Sequence, residues 1–322
     1  MIAERRPDLD RQQSLGPAMR VSLIVCTRNR AARLPDFLAC LERLEAPPGG
    51  WELIVVDNAS TDSTPGLLDR LTKGAPFPVR CIRAAAPGLS HARNMGLTQA
   101  CGDILAFTDD DCYPQPDYLL ALVDVFEEGR CGFVGGRVVL HDPSDARVGV
   151  RDTPTAIEIP PRSFVPAGLI HGANMAVTRE VVRAIGEFDP LLGAGAPCVA
   201  GEDTDYIARA VWAGWNGRYD PRPLVSHHHG RKPGPDAERQ RRGYDYGRGA
   251  YYMKRLLDTR SRRMYLSAWY WEARRHLERH QPGRFWREIA GAARYTLQHV
   301  TRSVLRPVSV RRRVADRRAA SA

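Results

Sequence analysis

Three adjacent carboxylates, Asp109, Asp110 and Asp111, follow the apolar run Ile104-Leu105-Ala106-Phe107. A buried strand over that run delivers them at its carboxyl end, where open α/β sheets bind ligands. Alternate residues of an extended segment point the same way, so Asp109 and Asp111 converge on one point while Asp110 faces back into the protein. A hard divalent cation, Mg²⁺ or Mn²⁺, takes oxygen ligands, commonly a carboxylate or two plus substrate phosphates, so this Asp-x-Asp pair suggests a metal-bound diphosphate. A solvated acidic turn capping the helix after Pro116 is the competing reading.

A second acidic group, Gly201-Glu202-Asp203-Thr204-Asp205, opens a helical pattern through Ile207, Ala210, Val211 and Trp212. Carboxylates suit a first helical turn because they face the positive end of the dipole, so simple capping accounts for them when they are taken alone. His227-His228-His229 follows the apolar pair Leu224-Val225, and alternation points His227 and His229 the same way. A polar run leaving the domain is the alternative.

The elements that must position these groups alternate strand and helix. Val21 to Cys26 reads as a buried strand ending at Thr27-Arg28-Asn29-Arg30, with an amphipathic helix from about Leu34 to Leu44. Glu52 to Val56 is a second strand, running into Asp57-Asn58-Ala59-Ser60-Thr61-Asp62, dense in helix-capping residues. Val79 to Arg83 is a third, and a helix capped by Ser90 ends near Gly102, before the strand that delivers Asp109. Such alternation predicts an α/β fold with a doubly wound, mostly parallel sheet flanked by helices. Beyond the acidic loop, Phe133 to Leu140 reads as strand interrupted by Gly135-Gly136, and His141 to Pro166 as a long functional loop.

With 322 residues and 43% hydrophobic content the chain fits one large domain or a domain with an extension. It has no run of eighteen apolar residues, and its first twenty residues lack an apolar signal-peptide core, so the expected location is the cytoplasm. Seven cysteines with no Cys-x-x-Cys read as reduced structural thiols. The net charge of +10 is uneven: from Arg231 onward there are 24 Lys and Arg against 8 Asp and Glu, and before it 23 against 29.

Taken in order, Val-Cys-Thr-Arg-Asn-Arg, Val-Val-Asp-Asn-Ala-Ser-Thr-Asp, Ala-Arg-Asn-Met-Gly, Asp109-x-Asp111 and Gly-Glu-Asp-x-Asp resemble the glycosyltransferase family 2 enzymes over roughly Val21 to His229. The resemblance implies the GT-A fold and inverting transfer of a sugar from a nucleoside diphosphate sugar, by family habit a uridine diphosphate sugar, to a hydroxyl of a glycan or lipid-linked acceptor. It implies that Asp57 accepts from the nucleoside base, that Arg93 sits near the nucleotide, and that Thr27, Arg28, Asn29, Asp109 and Asp110 line the nucleotide-sugar site. Arg28 stands where the family often has tyrosine, so a guanidinium replaces an aromatic ring for stacking. The resemblance further gives Asp109, Asp111 and His227 as ligands of Mg²⁺ or Mn²⁺, and Asp203 as the general base, with its neighbour Glu202 as the alternative catalytic carboxylate. Asp205 is expected to be structural, and Asn174 to orient donor or acceptor hydroxyls unless it serves a turn. A sugar nucleotidyltransferase is the nearest rival, but Cys-Thr-Arg-Asn-Arg lacks the glycine-rich loop expected of one. A non-catalytic carbohydrate- or membrane-binding protein on the same fold would be expected to have lost Asp111 or Asp203.

Domain boundaries follow as a disordered lead-in over 1–20, a catalytic domain over 21–230, a basic amphipathic helical extension over 231–305, and a disordered tail over 306–322. In the extension, Leu266, Trp269, Tyr270, Ala273 and Leu277 recur at three and four, as do Phe285, Ile289, Ala293 and Leu297 at four, with Arg262, Arg263, Arg274 and Arg275 nearby. Two uses of these stripes stay open: lying on an anionic membrane surface, which would make the protein peripheral at the inner face of the cell membrane, or packing onto the catalytic body. No nucleic-acid motif accompanies the charge, so no nucleic-acid partner is expected.

Overall fold

The computed structural model describes residues 20–305. The expected lead-in up to residue 19 and the tail over 306–322 lie outside the described residues. The chain begins β1 (Val21–Thr27), α1 (Leu34–Leu41), β2 (Trp51–Asp57), α2 (Thr64–Gly74), β3 (Val79–Arg83), α3 (Leu89–Gln99) and β4 (Ile104–Asp109). It continues with β5 (Cys112–Pro114), α4 (Tyr118–Gly129), β6 (Phe133–Leu140), β7 (Ile157–Ile159), β8 (Asn174–Thr178), α5 (Arg179–Ile185), α6 (Glu202–Trp212) and β9 (Gly217–His227). Three helices follow: α7 (Pro235–Leu257), α8 (Arg262–Glu278) and α9 (Pro282–Leu305).

All the strands join one sheet in the order β3-β2-β1-β4-β8-β6-β9-β5, with β7 also on β9. β1 pairs in parallel with β2 and β4, β2 with β3, and β6 with β9; β8 runs against both β4 and β6. Six strands, β1 to β4, β6 and β9, therefore share one direction, and the sheet is mixed but mostly parallel. Its central strands are apolar on both faces because both faces are covered. Leu23, Val25, Leu53 and Val55 pack with Phe37 of α1 and Leu122 of α4. Ile24, Ile54 and Val56 pack on the other side with Ala92 and Leu97 of α3.

Several details depart from the sequence expectation. Gly135-Gly136 does not interrupt β6. The ladder to β9 shifts register between Gly135 and Arg137, a bulge that glycine permits, since a Cβ at Gly136 would strike the Asn174 side chain and the Pro223 carbonyl. β9 reaches back to Gly217, well before Leu224. The stretch from His141 to Pro166 contains β7 and a bridge from Arg151 to Val138; three residues are too few to show a strand period.

The helical extension packs onto the body. Tyr251 of α7 donates its hydroxyl to the Val165 carbonyl at 2.9 Å, and Tyr295 of α9 donates to Asp189 at 2.9 Å. The predicted stripe on α8 divides: Trp269 is buried with Tyr265 and His276, whereas Leu266, Tyr270 and Leu277 face solvent. α7 and α9 cross closely through glycine, because Gly249 lies against the Glu288 backbone and Gly291 against the Tyr246 carbonyl. On another flank, Gly247 of α7 lies against the Ala200 carbonyl, where a Cβ would stand 2.6 Å away, just before α6 begins.

Candidate active site

The carboxyl ends of β1 and β4 and the amino end of α6 open into one cavity of about 1090 Å³. Its lining includes Thr27, Arg28, Arg93, Asp109, Asp110, Asp111, Glu202, Asp203 and His227. Asp110 is buried and tied to the β1 loop: Thr27 Oγ1 donates to its Oδ2 at 2.5 Å, and Arg30 Nε lies 3.3 Å from its Oδ1. Burial pushes the Asp110 carboxyl up to about 6 against the pull of Arg30.

Asp109 and Asp111 have different surroundings. The Asp109 side chain is 37% exposed and lies 3.5 Å from Arg93 Nη2. Asp111 is buried, and its Oδ1 lies 3.4 Å from His227 Nε2 while its Oδ2 accepts from Arg30 Nη2 at 3.2 Å. Burial acts to raise Asp111, but the His227 bond and the nearby cations outweigh it and leave the carboxyl below its ordinary value. His227 Nδ1 lies 3.1 Å from the Gly149 carbonyl. A carbonyl only accepts, so Nδ1 carries the proton and Nε2 turns towards Asp111, the arrangement that orients metal-binding imidazoles.

Asp111, Cys112 and His227 offer ligand atoms within 4.8 Å of one another. A carboxylate oxygen with an imidazole nitrogen fits Mn²⁺ or Mg²⁺, whereas the Cys112 sulfur is a soft ligand that such ions do not favour. Burial holds that thiol protonated, well above its ordinary range.

At the amino end of α6 the two acidic neighbours take different partners. Glu202 is buried and its Oε1 accepts from Arg93 Nη1 at 2.9 Å. Burial and the charge of Asp203 raise Glu202 to about 7, with Arg93 pulling the other way. Asp203 is half-buried; its Oδ2 accepts from the Gly172 amide at 2.8 Å and its Oδ1 from the Thr204 amide at 2.6 Å. Asp205 is fully buried and paired with Lys254 and Arg209.

Three expected site residues are not among the described residues lining the cavity. Asn29, at φ +53°, joins the β1 and β2 loops, its Oδ1 accepting from the Thr61 amide at 2.8 Å. Asp57 is buried and accepts from the Ser60 amide at 2.9 Å, with Arg83 3.6 Å away. Asn174 spends its amide inside the sheet, donating to the carbonyls of Arg137 and Pro223 at 3.0 and 2.9 Å. Conversely, His171 lines the cavity, and burial lowers its basicity. His171 precedes Gly172 in the run His171-Gly172-Ala173-Asn174, where the composition gave the only clue. α7 and the first turns of α9 add Tyr244, Arg248, Arg284 and Arg287, for which no local pattern existed.

A family model described as "Glycosyl transferase family 2" matches residues 22–186. Among curated relatives, glycosyltransferase AglE of Haloferax volcanii is 28% identical over 197 residues, 61% of this chain and 62% of that protein. A beta-monoglucosyldiacylglycerol synthase of a Nostoc species is 32% identical over 143 residues, 44% of this chain and 30% of that protein. The match thus spans less than two thirds of either relative's length. Among solved structures, the mannosyltransferase PcManGT from Pyrobaculum calidifontis, in complex with GDP-Man and Mn²⁺, superposes with a TM-score of 0.59 at 20% identity, covering 95% of this chain and 81% of that one. The likeness shows a shared GT-A fold. With the family model matching over half of its length, the chain belongs to glycosyl transferase family 2.

Proposed function

We propose that the protein is an inverting glycosyltransferase that moves a sugar from a nucleoside diphosphate sugar, with uridine diphosphate first in order, to a hydroxyl of a glycan or lipid-linked acceptor. The observation that carries this reading is the convergence of Asp203 from α6 and the Asp111–His227 pair, from the turn after β4 and the end of β9, on one cavity. An acceptor hydroxyl is a weak nucleophile, and a carboxylate within hydrogen-bond reach takes its proton as it attacks. Asp203 is the candidate base because, among the described residues, its hydrogen bonds come from backbone amides and the neighbouring Thr204 hydroxyl, whereas Glu202 is engaged by Arg93. The acceptor oxygen bonds to the anomeric carbon on the face opposite the diphosphate. The bond from that carbon to the leaving oxygen breaks, and its electron pair departs with the diphosphate. Asp111 and His227, with Asp109 beside them, would hold Mg²⁺ or Mn²⁺, which when bound supplies positive charge to the diphosphate. Arg93 and Arg30 hold the carboxylates around this centre in place.

The exposed side chains of α8 and α9 support a peripheral position on an anionic membrane. Leu266, Tyr270, Trp271 and Trp286 are each at least half exposed, next to Arg262, Arg263, Arg274 and Arg275. Aromatic rings sit at headgroup level while arginine meets anionic lipid. No helix among the described residues is long and apolar enough to cross a membrane.

The test is binding and turnover of uridine and guanosine diphosphate sugars by the purified protein with Mn²⁺, Mg²⁺ or chelator. Asp203→Asn is expected to keep donor binding and lose turnover by about 10²–10⁴-fold, and Asp111→Asn to lose metal-dependent donor binding. Absence of binding to every donor would overturn the transferase reading.

A further inference from the structure

The cavity has a second wall, apart from the carboxylates at the ends of β1, β4 and α6. Beyond the ends of β1, β4 and α6, it is lined by α7 from Glu238 to Tyr251, by His280 and Gln281 between α8 and α9, and by the start of α9. Four arginines line this wall: Arg241, Arg248, Arg284 and Arg287. Three of them converge on one carboxylate. Asp245 Oδ1 accepts from Arg248 Nη2 at 2.8 Å and from Arg284 Nε at 3.2 Å, and its Oδ2 accepts from Arg287 Nη2 at 2.8 Å. The other nearby carboxylate, Glu288, is fully buried and shared between Arg248, Trp269 and His276. Arg241 is about half exposed, and its partner Glu238, 3.9 Å away, also serves Arg242.

Like-charged guanidiniums brought together repel, and each carries five N–H donors, of which these bonds engage one or a few. A wall that only fastened α7 to α9 would need no more cations than anions. An arginine cluster of this kind matches the bidentate geometry of a phosphate. Leu277 and Trp286, which flank the α8–α9 turn in sequence, are 57% and 65% exposed.

We propose that Arg241, Arg248, Arg284 and Arg287 form a phosphate-binding subsite for the acceptor, so that the acceptor bears a phosphate near the hydroxyl that reacts. The proposal deepens the transferase reading, on which the word acceptor rests. The phosphate comes either from a lipid phosphate, whose chain would run over Leu277 and Trp286, or from a soluble sugar phosphate.

Calorimetric titration of the full chain, in chelator and without donor, separates these sources. The probes are farnesyl phosphate against farnesol in detergent micelles, and glucose 6-phosphate against glucose. The phosphate-bearing member of at least one pair is expected to bind roughly tenfold or more tightly than its partner. That preference is expected to disappear in Arg284→Gln with Arg287→Gln, and in Arg241→Glu at the half-exposed position, where folding is least at risk. Arg294→Gln on α9, away from the cavity, serves as the control and leaves the preference intact. A preference in the farnesyl pair alone identifies a lipid phosphate, and one in the glucose pair a soluble one. Equal binding within both pairs overturns the subsite, as does a preference that survives the arginine substitutions or is lost in Arg30→Gln instead. Donor binding, tested separately with Asp111→Asn, can fail without touching this result.

Discussion

Arg93 Nη1 donates to Glu202 Oε1 at 2.9 Å between two buried side chains, while Nη2 of the same guanidinium lies 3.5 Å from Asp109. One cation thus joins α3, the end of β4 and the start of α6. Gly172 leaves room for it, since a Cβ there would meet the guanidinium at 2.5 Å.

A pH dependence follows from Glu202. Folded, it holds its proton up to about 7; unfolded, it releases it near the ordinary 4.5. Between those values the folded state binds more protons, so wild-type stability falls as the pH rises. Glu202→Gln has no such proton to lose. Thermal unfolding of both proteins is expected to show wild-type Tm falling relative to the variant from about pH 5 to about pH 8, and a constant difference would refute it.

Asp205 titrates in the opposite sense. Burial would raise its carboxyl, but Lys254, Arg209 and Arg255 outweigh burial and hold it well below the ordinary 3.8. Its contribution is fully present above 3.8 and is lost as the pH falls below that value towards the folded-state one. Asp205→Asn leaves buried cations without their partner and is expected to cost about 3–5 kcal/mol near neutrality. Urea unfolding should find the deficit smaller below pH 3.8.

For the candidate metal centre, Mn²⁺ is expected to raise the Tm of the wild type by binding the native state, and to leave Asp111→Asn and His227→Ala unmoved. Calorimetric scans with Mn²⁺ and with chelator check it. An unchanged Mn²⁺ response in both variants would remove Asp111 and His227 as ligands.

The close crossing of α7 and α9 makes Gly249→Ala and Gly291→Ala destabilising by about 1–3 kcal/mol, because the added methyl meets backbone that cannot rotate away. Gly66→Ala on α2, with nothing within 4 Å of the new Cβ, is the contrasting case and is expected to stabilise by about 0.5–1 kcal/mol. Urea midpoints of the three variants decide the matter.

The parallel strands and their loops were legible because buried β-strands announce themselves locally, as Leu23-Ile24-Val25 and Leu53-Ile54-Val55 do. Asp111 and Asp203 stood out because carboxylates at a strand end and a helix start are chemically conspicuous. Legibility failed where a residue's role depends on distant partners. Asn174 looks like a free polar group in sequence, yet Arg137 and Pro223, brought together by the β6–β9 pairing, consume its amide. The arginine wall was hidden for the same reason, since Arg248 and Arg287 meet only because glycines let α7 and α9 touch. The apolar stripe of α8 was visible, but Tyr265 and His276, which the stripe omitted, share its buried side with Trp269.

Gly247 of α7, resting on the Ala200 carbonyl just ahead of Glu202 and Asp203, sets an order of events during synthesis. Translation delivers roughly 5–20 residues per second, amino end first. The residues of β1 through β9 are therefore synthesised about 3–12 seconds before Arg287 is. The segment that braces the start of α6 and lines the α7 side of the cavity is made after the strands and their carboxylates. The brace on the start of α6 is thus completed only after the carboxylates it steadies have all been made.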